Sequence, residues 1–425
     1  MKSNSKPRIL VLGGNFAGLT TARFIREYCK DAAEITLVDR KPYLIFIPNI
    51  PIEVFANHDP VETLHMPIVR VLERDGIRFI QGEVREVDVQ KQRVGYTPTE
   101  RPGAATEHIG YDYLVIALGA RLAYDRIEGF GEYGQTLSDS YYGNKLRAYL
   151  HGGHYKGGPI VIGSARFNQG TKGKPSWLPL AEAACEGPPL EVALSLASWL
   201  EDQHLGGPKN ITLFTPAKAI AEDAGEAIVN KFLEIAGGMG FGYKNNTKDI
   251  QEITKEGIRF ASGDTLEAEM KIIFPNWEPH AFLKGLPIVD EVGFVVTNDL
   301  MRNPDYPNVL AAGDSAAVTV PKLGALGHTE SEIVAKQIAK DVGTISAEEA
   351  DKPFKPAVFC IGDMGHRKGF YIHSDTWYGG KLSVLKMGHI FYGMKLAFKE
   401  MYYRTGGKIP SWGIPLSELV ADTLV

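Results

Sequence analysis

RILVLGGNFAGLTTARFIREY, residues 8–28, decides how the rest of the chain is read. The apolar run Ile9 to Leu12 behind Arg8 reads as a buried strand, Gly13, Gly14, Asn15, Phe16, Ala17 and Gly18 as a turn, and Leu19 to Tyr28 as a helix. A second strand is expected over Glu34 to Asp39, ending in an acid 26 positions after Gly13. Such a βαβ unit suits an adenine dinucleotide. Gly13 permits the tight turn, the helix N-terminus offers unpaired N–H groups to a pyrophosphate, Gly18 lets helix and strand approach closely, and Asp39 selects ribose over 2′-phosphate. The middle glycine of G-x-G-x-x-G is replaced by Asn15, whose side chain crowds the route from backbone to phosphate. Alone, the motif is equally a plain strand-turn-helix.

Two further segments settle the choice. Tyr111 to Ala120 (YDYLVIALGA) reads as a buried strand ending in a Gly-Ala turn, and Asn308 to Ala316 (NVLAAGDSA) as a strand delivering Asp314 to a loop before a helix. In this order the three segments resemble the FAD-binding segments of the flavoprotein disulfide-reductase superfamily. The resemblance implies FAD held by Gly13, Gly14, Asn15, Phe16, Ala17, Gly18, Asp39, Arg40, Ala117, Gly119, Gly313, Asp314, Lys322 and Leu323, with Asp314 on the ribitol and phosphate. It also implies an α/β fold of two Rossmann-like dinucleotide-binding domains. The divisions expected are 1–125 (FAD domain, first part), 126–285 (second Rossmann-like domain, carrying Cys185), 286–345 (FAD domain, second part) and 346–425 (a C-terminal region with Cys360, a quinone pocket and amphipathic helices).

The second domain breaks the superfamily's pattern. Gly158 to Gly163 is a strand entering a turn, but Gly163, Ser164, Ala165, Arg166, Phe167, Asn168 keeps no glycine for close approach or helix packing. Its partner strand, Asn210 to Thr215, ends in Thr215 and Pro216 where a nicotinamide site would place an acid. Both halves of an NADH site are degraded, so either the site is an atypical one or the electrons come from another donor.

The 425 residues contain three cysteines, too few for a disulfide framework, so any pairing among them points to redox chemistry. Cys185 lies in a Pro- and Gly-flanked turn just before a helical run, Leu190 to Leu200, where the helix dipole favours thiolate. Cys360 ends the apolar run Ala357 to Ile361, 175 positions downstream, so only the fold can bring the two together. Cys29 sits among apolar residues of the first helix and reads as a core filler.

Four segments, VLGGNFAGL, ACEGP around Cys185, GDSAAVTVPKLGALG from Gly313 and CIGDMG…GFYIHSDTWYGG from Cys360, resemble the sulfide:quinone oxidoreductases, nearest their archaeal-like members. The resemblance implies that sulfide attacks a Cys185–Cys360 disulfide or sulfur-bridged pair, that the released Cys360 thiolate reduces FAD, and that quinone takes the electrons while the polysulfide grows. Lys322 and the helix after it would stabilise negative charge at the flavin N1/O2 edge. Many family members carry a third cysteine near Thr136 to Tyr141; this chain has none there, so noncovalent FAD is expected. Proton carriers considered are Glu182, Glu186, His366 and His373. No metal constellation is present.

A net charge of −5 supplies no basic field for nucleic acid. No secretory signal is legible at the N-terminus, and no run of about 18 apolar residues occurs, so membrane contact is expected to be peripheral. From Ser383 to Tyr403, Met387, Ile390, Phe391, Met394, Phe398, Met401 and Tyr402 recur at helical spacing, flanked by Lys386, Lys395, Lys399 and Arg404. That pattern fits a helix lying on an anionic lipid surface, aided by Trp412, Ile414, Pro415 and Leu416, or else dimer or core packing. Phe359, Phe370, Tyr371, Trp377 and Tyr378 are candidates to line a quinone slot. The partners expected are sulfide, quinone and a membrane surface, in a homo-oligomer. Rival readings are a type II NADH dehydrogenase, which needs an intact second glycine turn, a flavocytochrome-type sulfide dehydrogenase subunit, which would carry an export signal, and a flavin redox sensor that does not turn over.

Overall fold

The computed structural model describes residues 5–409; Trp412, Ile414, Pro415 and Leu416 lie outside them. Apolar runs closed off by glycine turns build a seven-stranded sheet. Its parallel part runs Val309–Ala311, Tyr113–Ile116, Arg8–Leu12, Glu34–Asp39 and Arg78–Asp88, and Arg93–Pro98 and Glu107–Gly110 continue it antiparallel. Strands buried on both faces read as unbroken apolar runs, and Ile9 to Leu12, Leu114 to Ile116 and Val309 to Ala311 are all buried. Helices Phe16–Cys29 and Gly324–Val342 pack along one another over this sheet, pinned by the Ser331 hydroxyl donating to the Ala17 carbonyl at 2.9 Å.

A second sheet, all parallel, runs Gly134–Gln135, Met270–Phe274, Ile160–Ser164, Ile211–Phe214 and Gly242–Lys244. After Ile160–Ser164 the chain does not enter a helix at once. Residues 165–186 make an irregular excursion before helix Gly187–Asp202 begins, with Pro188 and Pro189 in its first turn. That helix is buried without a break from Pro189 to Leu200, and each of its leucines contributes about 1.5–3 kcal/mol relative to exposure.

The third unit is an antiparallel sheet of Val358–Gly365, Lys368–Ser374 and Ser383–Gly388, followed by helix His389–Thr405. The expected C-terminal stripe is therefore split, since Lys386 and Met387 belong to a strand and the helix starts after Gly388. Phe391 and Tyr402 are fully buried, so core packing claims that face. Two of the flanking cations are also spent internally, and Arg404 pairs with a neighbour on the helix surface. Lys395 is 3% exposed and paired with Glu191, Lys399 pairs with Glu53 at 2.5 Å, and Arg404 bonds Glu400 at 2.7 Å. Solvent meets another face of the helix, with Ile390 36% and Leu396 41% exposed. Among the described residues no helix is long and apolar enough to cross a membrane.

Candidate active site

At Gly13 and Gly18 the first glycine turn leaves no room for a side chain. A Cβ on Gly13 (φ +104) would stand 2.1 Å from the Ala117 carbonyl oxygen, and one on Gly18 2.0 Å from that of Gly13. Strand, turn and helix thus meet at backbone contact. The Gly14 N–H donates to Asp39 at 2.6 Å, and Asp39 also receives the Lys41 N–H at 2.8 Å. The Asn15 side chain, expected to crowd the phosphate route, is bonded to a neighbouring strand. Its oxygen accepts the Ile45 N–H at 3.1 Å, which ties the turn to the strand Tyr43–Ile45. Phe16 opens the helix and packs on Phe46, Tyr402 and His328, while Arg40 is exposed at the strand end.

Gly313 (φ +66) brings the loop carrying Asp314 against Ala17, whose Cβ would lie 2.7 Å from a Cβ at Gly313. The buried Glu330 carboxyl receives the Gly313 N–H at 2.6 Å and the Thr319 hydroxyl at 2.7 Å. Leu323 then starts helix Gly324–Val342. Neither this helix nor Phe16–Cys29 has a side-chain cap, and both begin beside Gly313. Open space faces Gly119 and Gly324, where an added Cβ would touch nothing within 4 Å. Two uncapped N-termini, closely packed glycines and open positions beside Asp314 fit a flavin adenine dinucleotide.

Lys322 is 2% exposed, not a solvated surface residue. Two of its three donors go to the carbonyls of Asp314 and Ala316, each at 3.0 Å, and its ammonium lies 3.9 Å from the Phe294 ring centre. Burial pulls it down to about 8, opposed by the charges of Asp314, Glu330 and Asp290, while burial pushes Asp314 up to about 6. The Lys322 N–H donates to the Ala184 carbonyl at 2.8 Å, so this loop is tied directly to the turn of Cys185.

The second glycine turn is closed by its own chain. A Cβ on Gly163 would stand 2.2 Å from the Phe214 oxygen and 2.6 Å from its ring. Arg166 spans the mouth, paired with Glu182, donating to Asp249 at 2.7 Å and to the Thr247 carbonyl at 2.8 Å. Glu186, 2% exposed, takes the Ala221 N–H at 2.9 Å. Burial pushes its carboxyl up to about 8 although the Thr215 hydroxyl and the Ala221 N–H favour the anion, so it is mostly neutral at pH 7. A protonated carboxyl thus packs by Thr215, where a nicotinamide domain would hold an acid for ribose.

Across 175 positions of sequence the fold brings the two thiols together. Helix Gly187–Asp202 packs against strand Val358–Gly365, and the Cys360 Sγ lies 3.6 Å from where a Gly187 Cβ would be, two residues past Cys185. Both are free cysteines and half-buried. The helix N-terminus does not win at Cys185. Burial pushes that thiol well above its ordinary value, Asp223 and Cys360 add to the shift, and only the Gly187 N–H opposes them appreciably. Burial pushes Cys360 up to about 12, with Glu191 adding to it and Lys395 opposing it. Cys29, fully buried in the core and raised to about 11 by burial, stands apart from the pair.

Residues 7–161 match the pyridine nucleotide-disulphide oxidoreductase family. The sulfide-quinone reductase of Aquifex aeolicus is 23% identical to the chain, over 95% of this chain and 93% of its own length. The crystal structure of the sulfide:quinone oxidoreductase from the same bacterium superposes with a TM-score of 0.80 at 21% identity, covering 99% of this chain and 96% of that one. Over nearly its whole length the chain is similar to these sulfide:quinone oxidoreductases in sequence and in fold. By contrast, the type II NADH:quinone oxidoreductase of Staphylococcus haemolyticus is 29% identical, but over 35% of each chain only.

The structure separates the expected proton carriers. Glu182 is tied up with Arg166, and His366 sits on an exposed turn with Glu201 at 3.2 Å. His373 pairs across the sheet with Phe359, and Cys360 with Ile372, so His373 and Cys360 project from opposite faces of the hairpin. Of the four only Glu186, next to Cys185 in the chain, is buried. Two groups beside the thiols were not legible from spacing. Asp223 stands close enough to act on Cys185, Cys360, Glu186 and Tyr378, and Glu191 and Lys395 form a buried pair behind Cys360. The aromatic candidates divide likewise. Phe370 and Tyr371 are core, Trp377 and Tyr378 pack on each other with the Tyr378 hydroxyl donating to Val320 at 2.8 Å, and Phe359 joins Ile361, Val384 and Met394 around Tyr371 and Phe391.

Proposed function

We propose that the chain oxidises sulfide at the Cys185–Cys360 pair and delivers the electrons to a membrane quinone through FAD held without a covalent bond. The observation that carries this reading is the meeting of two distant thiols at the start of the helix whose glycine turn is closed to a nicotinamide. Sulfide adds to Cys185 of the oxidised pair, and the bond between the cysteines breaks to leave the electron pair on Cys360. Burial holds the resting thiols neutral, so the pair stores sulfur as disulfide, persulfide or bridging chain rather than as exposed thiolate. When bound, FAD would supply a two-electron acceptor for the thiol pair and a donor for quinone. Lys322, with one donor unspent, and the N-terminus of Gly324–Val342 favour negative charge at that cofactor's edge. The segment Thr136 to Tyr141 offers hydroxyls, with Thr136 and Ser138 bonded to each other at 3.0 Å, and no thiol for a covalent link.

The face of the hairpin opposite Cys360, with Phe359, Ile361 and Met394, suits a quinone ring, and the exposed Ile390 and Leu396 suit the lipid surface it comes from. The test is sulfide-dependent reduction of a short-chain quinone by purified protein. Cys185→Ser and Cys360→Ser should each lower the rate at least about a hundredfold while flavin absorbance stays in place. Turnover at the unaltered rate in either variant would overturn the reading.

A further inference from the structure

The short turn Glu222–Ala224 is clamped from three directions. At its entry Ala221, in the left-handed region at φ +56, donates its N–H to Glu186. At its exit a Cβ on Gly225 would come 2.0 Å from the Thr376 hydroxyl, and the turn packs against both Thr376–Tyr378 and the strand Lys368–Ser374. The clamped turn holds Asp223 within electrostatic reach of both thiols. The groups around it are Cys185 and Glu186 from the turn before the helix, Cys360 from its strand, Tyr378 from the following turn and Glu222 from its own; His373, on the packed strand, projects from the other face of the hairpin. Lys218 acts on Glu222 rather than on Asp223.

We propose that Asp223 is the proton acceptor for the incoming sulfur nucleophile, a role that rests on the sulfide oxidation proposed above. Hydrogen sulfide gives one proton to the Asp223 carboxylate as its sulfur bonds to the Cys185 Sγ. The Cys185–Cys360 bond breaks, and its electron pair leaves on Cys360. The products are a Cys185 persulfide that keeps the second hydrogen, a Cys360 thiolate and a neutral Asp223. The sulfide sulfur is oxidised and the Cys360 sulfur reduced. Asp314, which also acts on Cys185 and is likewise pushed up to about 6, stands on the flavin loop beside Lys322. Glu186 is mostly neutral at pH 7, and Tyr378 is pushed well above its ordinary value by burial. Asp223, raised to about 6 by burial and by Glu222, is still ionised at pH 7 and near the working pH, as a general base should be. The acceptor is lost as pH falls through that value.

The test is flavin bleaching by sulfide in anaerobic rapid mixing of the holoprotein, from about pH 5 to about pH 9. Asp223→Asn should slow bleaching at neutral pH about a hundredfold and remove the decline on the acid side, while Asp223→Glu should restore both. Bleaching of Asp223→Asn at the unaltered rate, with the acid decline intact, overturns the role of Asp223. If Asp223→Asn fails to fold, Asp223→Glu decides: an acid decline displaced from that of the unaltered protein supports the role, and one left in place overturns it. A holoprotein that sulfide does not bleach at all instead overturns the sulfide reading itself.

Discussion

The turn at Gly13–Gly18 and the turn at Gly163–Asn168 close strands of similar length in the parallel parts of two sheets, yet one is kept clear for a ligand and the other is filled from within. At the first, backbone meets backbone, the Asn15 side chain is drawn aside to Ile45, and the helix begins three residues after Gly13 with no buried charge. At the second, Phe214 crowds Gly163, Arg166 spans the mouth, and the helix waits until Gly187 while the excursion delivers Cys185 and Glu186. That later helix also buries Glu191, which needs Lys395 from the C-terminal helix. The same βα frame serves phosphate binding when its N-terminus is left open, and serves sulfur chemistry when the chain between strand and helix is long enough to carry a thiol and seal the nucleotide site.

Lys395→Ala gives the largest expected effect, because it strands a buried carboxylate on the helix that has no counterpart in the first domain. Urea unfolding followed by circular dichroism should show a loss of about 3–5 kcal/mol, most of it recovered in the double variant Glu191→Leu/Lys395→Met. A loss under about 1 kcal/mol would mean that the pair is not held as tightly as described. Gly18→Ala and Gly163→Ala probe the two turns directly. Both introduce a Cβ at or below 2.2 Å from a carbonyl oxygen and should cost about 1–3 kcal/mol each, but only Gly18→Ala should lower the flavin content of the purified protein. Equal flavin loss in the two variants would break the contrast.

Glu186 gives a smaller effect with a definite sign. Its folded value is raised from 4.5 to about 8, so the stability tied to its protonation is complete below pH 4.5 and is lost as pH rises toward 8. Glu186→Gln should therefore gain on the unaltered protein across that window by roughly 1–3 kcal/mol in thermal or urea unfolding; a pH-independent difference would show that the carboxyl ionises freely. Least of all, Ile390→Glu or Leu396→Glu should leave sulfide-driven flavin bleaching unchanged and weaken sedimentation with anionic lipid vesicles about tenfold. Unchanged sedimentation would move lipid contact elsewhere.

The first domain was legible because its signals are local. Arg8–Leu12 and Glu34–Asp39 fall where the apolar runs placed them, and the helix begins at Phe16, three residues ahead of Leu19. The degraded second turn was equally plain, since missing glycines and a missing acid can be read off the chain. What decides the chemistry inside the cleft is not local. Asp223 has no spacing relation to Cys185, and only the docking of its turn on Thr376–Tyr378 gives it one. Lys395 sat in a stripe that reads as a lipid-facing edge, and Glu191, 204 positions away, turned it inward. The dipole argument at Cys185 held in direction, through the Gly187 N–H, but burial outweighed it, and burial is a property of the assembled helix and hairpin.

The central claim, that electrons enter through the thiol pair and not through a nicotinamide, is tested most directly by anaerobic stopped-flow of the yellow holoprotein against sulfide and, separately, against NADH, with Cys360→Ser beside it. The account predicts rapid flavin bleaching by sulfide alone, lost in Cys360→Ser. Bleaching by NADH, unaffected by the substitution, would contradict it and reopen the second glycine turn as a nucleotide site.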